Sequence, residues 1–153
     1  MDNELLFITP DGIEMAATSP VQKIIFTDPS DNGVMLNITF QKNFPAIDKQ
    51  TAESYYEVLD TGNVKLLKYH KITYDDRKGY GEATTTRFFQ EAEIYYLYSE
   101  KTGIVRLEKG KNFLVSFLND QKEQVSQFID SNDLKCRKEA DWEKVIVYYN
   151  TLL

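Results

Sequence analysis

Ile104-Val105-Arg106-Leu107-Glu108-Lys109-Gly110-Lys111-Asn112-Phe113-Leu114-Val115-Ser116-Phe117-Leu118 is the stretch in which the chain changes period. Before Gly110, short apolar runs alternate in steps of two between turn signals; after it, apolar residues recur at three and four. Leu114, Phe117 and Leu118 form the first such set, Val125, Phe128 and Ile129 the second, and Trp142, Val145, Ile146 and Tyr149 the third. Each set is the apolar stripe of one helix. The switch divides the 153 residues into a strand-rich body (1–109) and a helical C-terminal part (110–153) packed on it as a single domain. Such short helices are marginal in isolation, so their stripes must pack on the sheet or on each other.

Reading backwards from Gly110, Glu100-Lys101-Thr102-Gly103 is a hairpin turn. It closes a set of strands at Thr84 to Phe89, Ile94 to Tyr98 and Ile104 to Glu108. Residues 75–83, with Asp75, Asp76, Arg77 and Lys78 in a row and glycines at 79 and 81, read as an exposed mobile loop. Tyr55 to Leu59, the turn Asp60-Thr61-Gly62-Asn63 and a run from Val64 to Tyr74 make another hairpin. Neither parity of 64–74 is purely apolar, which predicts a bulge or twist that exchanges the buried face.

Phe44 to Ala52 reads as loop. Val34, Leu36, Ile38 and Phe40 alternate with polar or less apolar neighbours and predict a strand with one buried face. Val21 to Phe26 precedes it, and the first hairpin joins Glu4–Ile8 to Ile13–Ala16 through Thr9-Pro10-Asp11-Gly12. Turn signals spaced this regularly leave no room for crossover helices. The expected fold is therefore α+β: an antiparallel meander or curved sheet of about seven to eight strands, then two or three C-terminal helices. In the helical part, Asp120 and Glu123 have the spacing of a capping signal, and Glu139 and Asp141 suit the start of the last helix. Trp142, Val145, Ile146 and Tyr149 should be buried, with Glu143, Lys144 and Asn150 facing water.

Composition narrows function. A formal net charge of −6, with 18 Lys and Arg spread along the chain, disfavours nucleic acid as a partner. No run approaches the roughly 20 apolar residues of a membrane span. Cys136 is alone, so disulfide frameworks and multi-cysteine metal sites are excluded, and it reads as a small apolar residue. His70 is the sole histidine, which removes multi-histidine metal sites and most Ser-His-acid arrangements and leaves an ordinary sheet histidine. No phosphate-binding glycine loop is present, since Gly79-x-Gly81 lacks a third glycine and a following helix. Asp28, Asp31 and Asn32 read as turn formers before a calcium loop. Asp75 with Asp76, and Glu91 with Glu93, read as solvated acids before a glycosidase pair. No cofactor, metal site or catalytic set is expected.

Tyrosine is the remaining oddity, with 10 in the chain. Tyr55-Tyr56, Tyr95-Tyr96-x-Tyr98 and Tyr148-Tyr149 place adjacent rings on opposite sides of an element. One ring of each pair should be inside and one outward. Outward tyrosines adhere to proteins and stack on sugars, which makes Tyr95 and Tyr98 the candidate binding residues, against plain cross-strand packing.

Tyr55-Tyr56-Glu57-Val58-Leu59, Gly62-Asn63-Val64-Lys65-Leu66-Leu67-Lys68, Gly81-Glu82-Ala83-Thr84-Thr85-Thr86-Arg87-Phe88, Glu93-Ile94-Tyr95-Tyr96-Leu97-Tyr98 and Val147-Tyr148-Tyr149-Asn150 come in a telling order. In that order and spacing the chain resembles a family of uncharacterised proteins of Bacteroidetes that usually carry a signal peptide. The likeness covers 55–153, and more loosely Leu5 to Asp28. It implies an exported protein without known enzymatic activity, cofactor or ligand, and no functional residues to transfer. The compartment expected is periplasmic or cell-envelope if Met1 replaces a removed leader, and cytoplasmic if Met1 is the native start. The leading expectation is a non-enzymatic binding or interaction module of the cell envelope, with a protein or glycan as partner. The alternatives are a carboxylate-dependent hydrolase and a carrier of a small apolar ligand.

Overall fold

The structure is a computed structural model and describes residues 6–17, 21–29, 35–79 and 84–153. Met1 to Leu5, Asp31, Asn32, Val34 and residues 80–83, which entered the readings above, lie outside the described residues. Among the described residues eight strands precede three α-helices: β1 (Leu6–Ile8), β2 (Glu14–Ala16), β3 (Lys23–Pro29), β4 (Met35–Gln41), β5 (Tyr56–Val58), β6 (Val64–Arg77), β7 (Thr86–Ser99) and β8 (Gly103–Arg106), then α1 (Lys111–Phe117), α2 (Lys122–Ser131) and α3 (Glu139–Asn150). A short 3-10 turn, Asn119–Gln121, leads into α2. β3 to β8 form a six-stranded antiparallel meander in sequence order, and β1 and β2 pair as a separate two-stranded sheet. The fold is α+β, as the change of period requires. Among the described residues no helix is long and apolar enough to cross a membrane.

β6 and β7 form the spine, paired without interruption from Val64↔Ser99 to Arg77↔Thr86. No bulge occurs. The mixed parity of 64–74 has another cause: the start of β6 is buried on both faces. Val64, Leu66 and Leu97 face the helices and join Leu114, Leu118, Val125, Ile129, Trp142, Val145, Ile146 and Tyr149. On the other face Leu67 and Tyr96 join Phe44, Tyr56 and Val58. A segment covered on both sides needs apolar residues at successive positions, so it cannot alternate. Phe44, expected in a loop, is 3% exposed because that irregular segment is the lid of the second core.

Beyond Lys71 the same ladder leaves both layers and projects into water. The expected loop at 75–83 is therefore strand as far as Arg77, and the two strands expected at 84–89 and 94–98 are one strand of 14 residues. Pairing across the ladder for Asp76, and along β6 itself for Asp75 with Arg77, explains why these three tolerate strand geometry. Arg87 donates two hydrogen bonds to Asp76, at 2.7 and 2.9 Å, and Arg77 pairs with Asp75 at 2.8 Å. Ile38, expected on a buried face, is 43% exposed, since β4 shares only Phe40 and Gln41 with β5 and at Ile38 pairs, among the described residues, with β3 alone.

The helical layer is fixed by backbone geometry as well as by its stripes. Cys136, buried and in the left-handed region (φ 53), turns its carbonyl to accept the Gly110 N–H and the Trp142 indole N–H, both at 2.8 Å. One carbonyl thus joins the starts of α1 and α3. The expected cap at Asp120 is absent. That carboxylate accepts the Tyr149 hydroxyl, with both oxygens at 2.9 Å, and α2 begins after Gln121 without a side-chain cap.

Asn150 does not face open water. Its Oδ1 accepts the Val64 N–H at 3.0 Å and its Nδ2 donates to the Val64 carbonyl at 2.8 Å, so the amide imitates a neighbouring strand. A Cβ on Gly62 would lie 2.2 Å from the Asn150 Cγ, so this docking needs glycine there.

Two stability predictions follow from these contacts. Trp142→Ala should cost about 3–5 kcal/mol and Lys144→Ala no more than about 0.5, read from denaturant melts; equal small losses would mean α3 is not part of the core. Gly62→Ala and Asn150→Ala should each cost about 1–3 kcal/mol, and together clearly less than their sum, because both break the same amide-to-strand bond. Strict additivity would show that Gly62 is not reserved for Asn150.

Candidate functional site

A charge on a strand parity that is otherwise buried must find partners or leave the core. Lys68 lies on the same parity of β6 as Val64 and Leu66, and it is 8% exposed. Its ammonium donates to Glu139 at 3.0 Å, at the first residue of α3, and pairs with Glu57 of β5 at 3.1 Å. Burial alone would lower the pKa of this ammonium; the bonds to Glu139 and Glu57 outweigh it, and the net shift is upward.

Two residues on, His70 is held between carboxylates. Its Nε2 lies 2.7 Å from Glu57 and its Nδ1 3.0 Å from Glu91, with the Phe40 ring 5.9 Å away. A neutral imidazole has one N–H and can satisfy one acceptor, so only the imidazolium serves both. Burial pulls its pKa down, the hydrogen bonds to Glu57 and Glu91 push it up, and the net shift is upward.

Tyr95 completes the cluster from β7. Its hydroxyl lies 2.7 Å from Glu93 and 2.7 Å from Glu139, and its ring packs 4.9 Å from that of Trp142. Burial first, and then the two carboxylates, raise the phenol pKa. Burial pushes the Glu139 carboxyl up, but Tyr95 and Lys68 pull it further down, so it stays ionised. The result is a chain of charges, Glu91–His70–Glu57–Lys68–Glu139–Tyr95–Glu93, that joins three strands to the start of a helix.

The sequence expectation named Tyr95 and Tyr98 together. They lie on opposite faces of β7, both half-buried: Tyr95 in the charged cluster, Tyr98 in the second core, 5.1 Å from the Phe44 ring and under the Lys65 ammonium. Neither is a free outward ring, because the strand is sandwiched there. Tyr96 between them is fully buried, and its hydroxyl donates to Asp48 at 2.9 Å and Gln50 at 3.2 Å. Tyr56, packed among Phe44, Tyr69 and Tyr96, has a buried hydroxyl without a hydrogen-bond partner among the described residues, and burial raises it to about 12.

Glu139 was read from the sequence as an acid at the start of the last helix, where it does lie, but its pairing with Lys68 was not foreseen, and Glu57 and Lys68 were not singled out, although one signal was there. Lys68 breaks the apolar parity of Val64 and Leu66, which announces a buried cation in need of carboxylates. His70, read as an ordinary sheet histidine, has both nitrogens engaged and therefore none free for a substrate. Glu91 and Glu93, read as solvated acids, are exposed, and each also hydrogen-bonds a member of the cluster, Glu91 with His70 and Glu93 with Tyr95. Among the described residues no group of three or more His, Cys, Asp or Glu side chains is placed to hold a metal ion.

Away from this cluster, a cleft of about 790 Å³ opens at the start of β6, with Lys65, Tyr98, Phe117 and Asp120 in its lining. Its size lies within the range of small-molecule sites. Comparison with protein-family models, with curated proteins and with solved structures finds no match to this chain.

The cluster predicts a pH signature. His70 gains proton affinity on folding, so its contribution to stability is complete below its ordinary value of 6.5 and is lost as pH rises through the higher folded value. Glu139 works in the opposite sense: its contribution is present above 4.5 and is lost as pH falls through its lowered folded value. The melting temperature of His70→Gln should therefore trail wild type most between pH 4.5 and 6.5 and converge with it at alkaline pH. Parallel profiles for the two proteins would show that the imidazolium does not clamp the sheet.

Proposed function

We infer that the chain is a non-enzymatic binding module that works at the cell envelope and presents its exposed strands to a protein or a glycan. The observation that carries this reading is the exposure of large apolar side chains on regular strands. Phe26 is 52% exposed, Ile72 61% and Phe89 66%. Apolar side chains grouped on an ordered sheet are the usual footing of a recognition surface. The reactive groups of the sheet, by contrast, are engaged with one another. Placement at the envelope draws on the order of segments that resembles the exported Bacteroidetes family.

A carboxylate-dependent hydrolase is the second reading, and one feature favours it. Glu93 and Glu139 both approach the Tyr95 hydroxyl at 2.7 Å, so two carboxylates do converge. The single Tyr95 O–H can donate to only one of them at a time, and Glu139 is also held ionised by Lys68, which suits it poorly to the role of general acid. For the carrier of a small apolar ligand, the cleft at the start of β6 has charged residues in its lining, which suits an apolar guest poorly.

The test uses immobilised protein and an envelope fraction, with retained proteins and polysaccharides identified. Wild type should retain a defined component that Phe26→Ser and Phe89→Ser each lose by about tenfold, the effect of losing roughly 1.4 kcal/mol of contact. Retention that survives both substitutions would sink the binding reading. Glycoside or ester turnover abolished by Glu139→Gln would replace it with the hydrolase.

A further inference from the structure

From Lys71↔Ala92 outward the β6–β7 ladder is a two-stranded arm, since β5 reaches only to Lys68 and β8 pairs only with Tyr96 to Ser99. Residues 86–94 of β7 pair, among the described residues, with β6 alone. Their outer edge offers backbone N–H and C=O groups at alternate residues, a template for one more strand. Its side chains carry a symmetric pattern: Arg87, Phe88, Phe89, Gln90, Glu91, with opposite charges two places either side of Phe89.

We propose that this edge pairs antiparallel with the same edge of a second copy, across a two-fold axis at Phe89, so that the two sheets become one. In that register Phe89 meets Phe89 of the other copy and Arg87 meets Glu91, twice by symmetry. Phe88 meets Gln90, and Thr86 meets Ala92. An antiparallel pair related by a two-fold perpendicular to the sheet must match residues of the same parity, and this register does so. The nearest permitted alternatives, centred on Phe88 or Gln90, set the Phe89 ring against Arg87 or Glu91. Like charges directly opposite are unfavourable and opposite charges favourable, so the pattern selects its own register. Of the other edges of the meander, β8 is only four residues long and β3 ends on Pro29, which has no N–H to donate.

The arm is built to hold that shape before any partner arrives. Arg87 is fixed by Asp76 and lies 4.1 Å above the Tyr74 ring, and Tyr74 packs 6.3 Å from Phe89. Glu91 is fixed by His70. Phe89, Arg87 and Glu91 remain exposed, with 51% and 63% of the charged side chains in water. Their outer sides can therefore meet a second set of charges without surrendering the first.

Sedimentation equilibrium should show wild type reaching twice its 17.8 kDa mass as concentration rises. Arg87→Glu sets two acids against each other and Glu91→Arg two arginines, so each variant alone should stay at 17.8 kDa. An equimolar mixture of the two restores every opposite pair and should recover the doubled mass. Phe89→Ser, which touches neither ion pair, should weaken association while leaving the arm folded. Hydrogen exchange on wild type gives an independent reading: alternate amides in 86–92 should gain protection with concentration. Wild type that stays monomeric up to its solubility limit overturns the proposal. So does a dimer that both single variants keep, a mixture that stays monomeric, or exchange in 86–92 that ignores concentration.

Discussion

Burial of one short ladder on both its faces is the constraint from which the rest of this structure descends. Between Val64 and Lys68 on β6, and Tyr95 and Tyr98 on β7, side chains enter the helical core on one side and the aromatic core on the other. Two layers must therefore be brought to the same few residues from distant parts of the chain. The segment around Phe44 and β5 supplies one, and the three helices supply the other. Each of those layers is too small to stand alone, since short helices and an irregular lid bury little by themselves. The ladder supplies the common wall, and Asn150 and Cys136 set the angle at which the helices reach it.

Lys68 lies where that wall ends. Placed one step beyond Leu66 on the helix-facing parity, it is too deep for water and too polar for the core, so Glu57 and Glu139 neutralise it. Removing one partner of such a buried group leaves an uncompensated charge, which makes the cluster a device of specificity more than of strength. It fixes the register of β5 on β6 and the position of the first turn of α3 with one cation. His70, one step further out and wetter, extends the same logic to a group whose charge depends on pH. The hydrophobic ladder decides that the layers meet; the charged chain at its rim decides where.

This division explains what could be read from residues alone. The helical stripes at Leu114, Val125 and Trp142 were legible because each helix has one buried face, and a one-sided burden leaves a period. The antiparallel meander was legible from its turns. The start of β6 was not, because two-sided burial erases alternation and looks like a register fault. The arm was not legible either: a charged run at 75–77 signals a loop, and the partner that holds Asp76 in strand geometry, Arg87, lies across the hairpin. Ile38 failed in the opposite direction, since alternation shows that a face is apolar and not that anything covers it. In the cluster, the parity break at Lys68 was visible, whereas Glu139 reaches it from 71 residues away, and no local pattern carries such a pair.

The same reasoning bears on why the β6–β7 hairpin is continued past the end of its supporting layers. A two-stranded ribbon is marginal in water, and its persistence here needs a local source. Arg87 clamps Asp76 and covers Tyr74, Arg77 lies 5.3 Å from the Phe88 ring, and Tyr74 meets Phe89. These contacts run across the ribbon and hold its two strands to each other. None of them covers its outer edges, and they orient Arg87, Phe89 and Glu91 along one face beside an open row of backbone groups. A sheet that ended only to avoid self-pairing would twist, shorten or place lysine at such an edge. This one stays regular, in register and balanced in charge, which are the properties that strand addition requires.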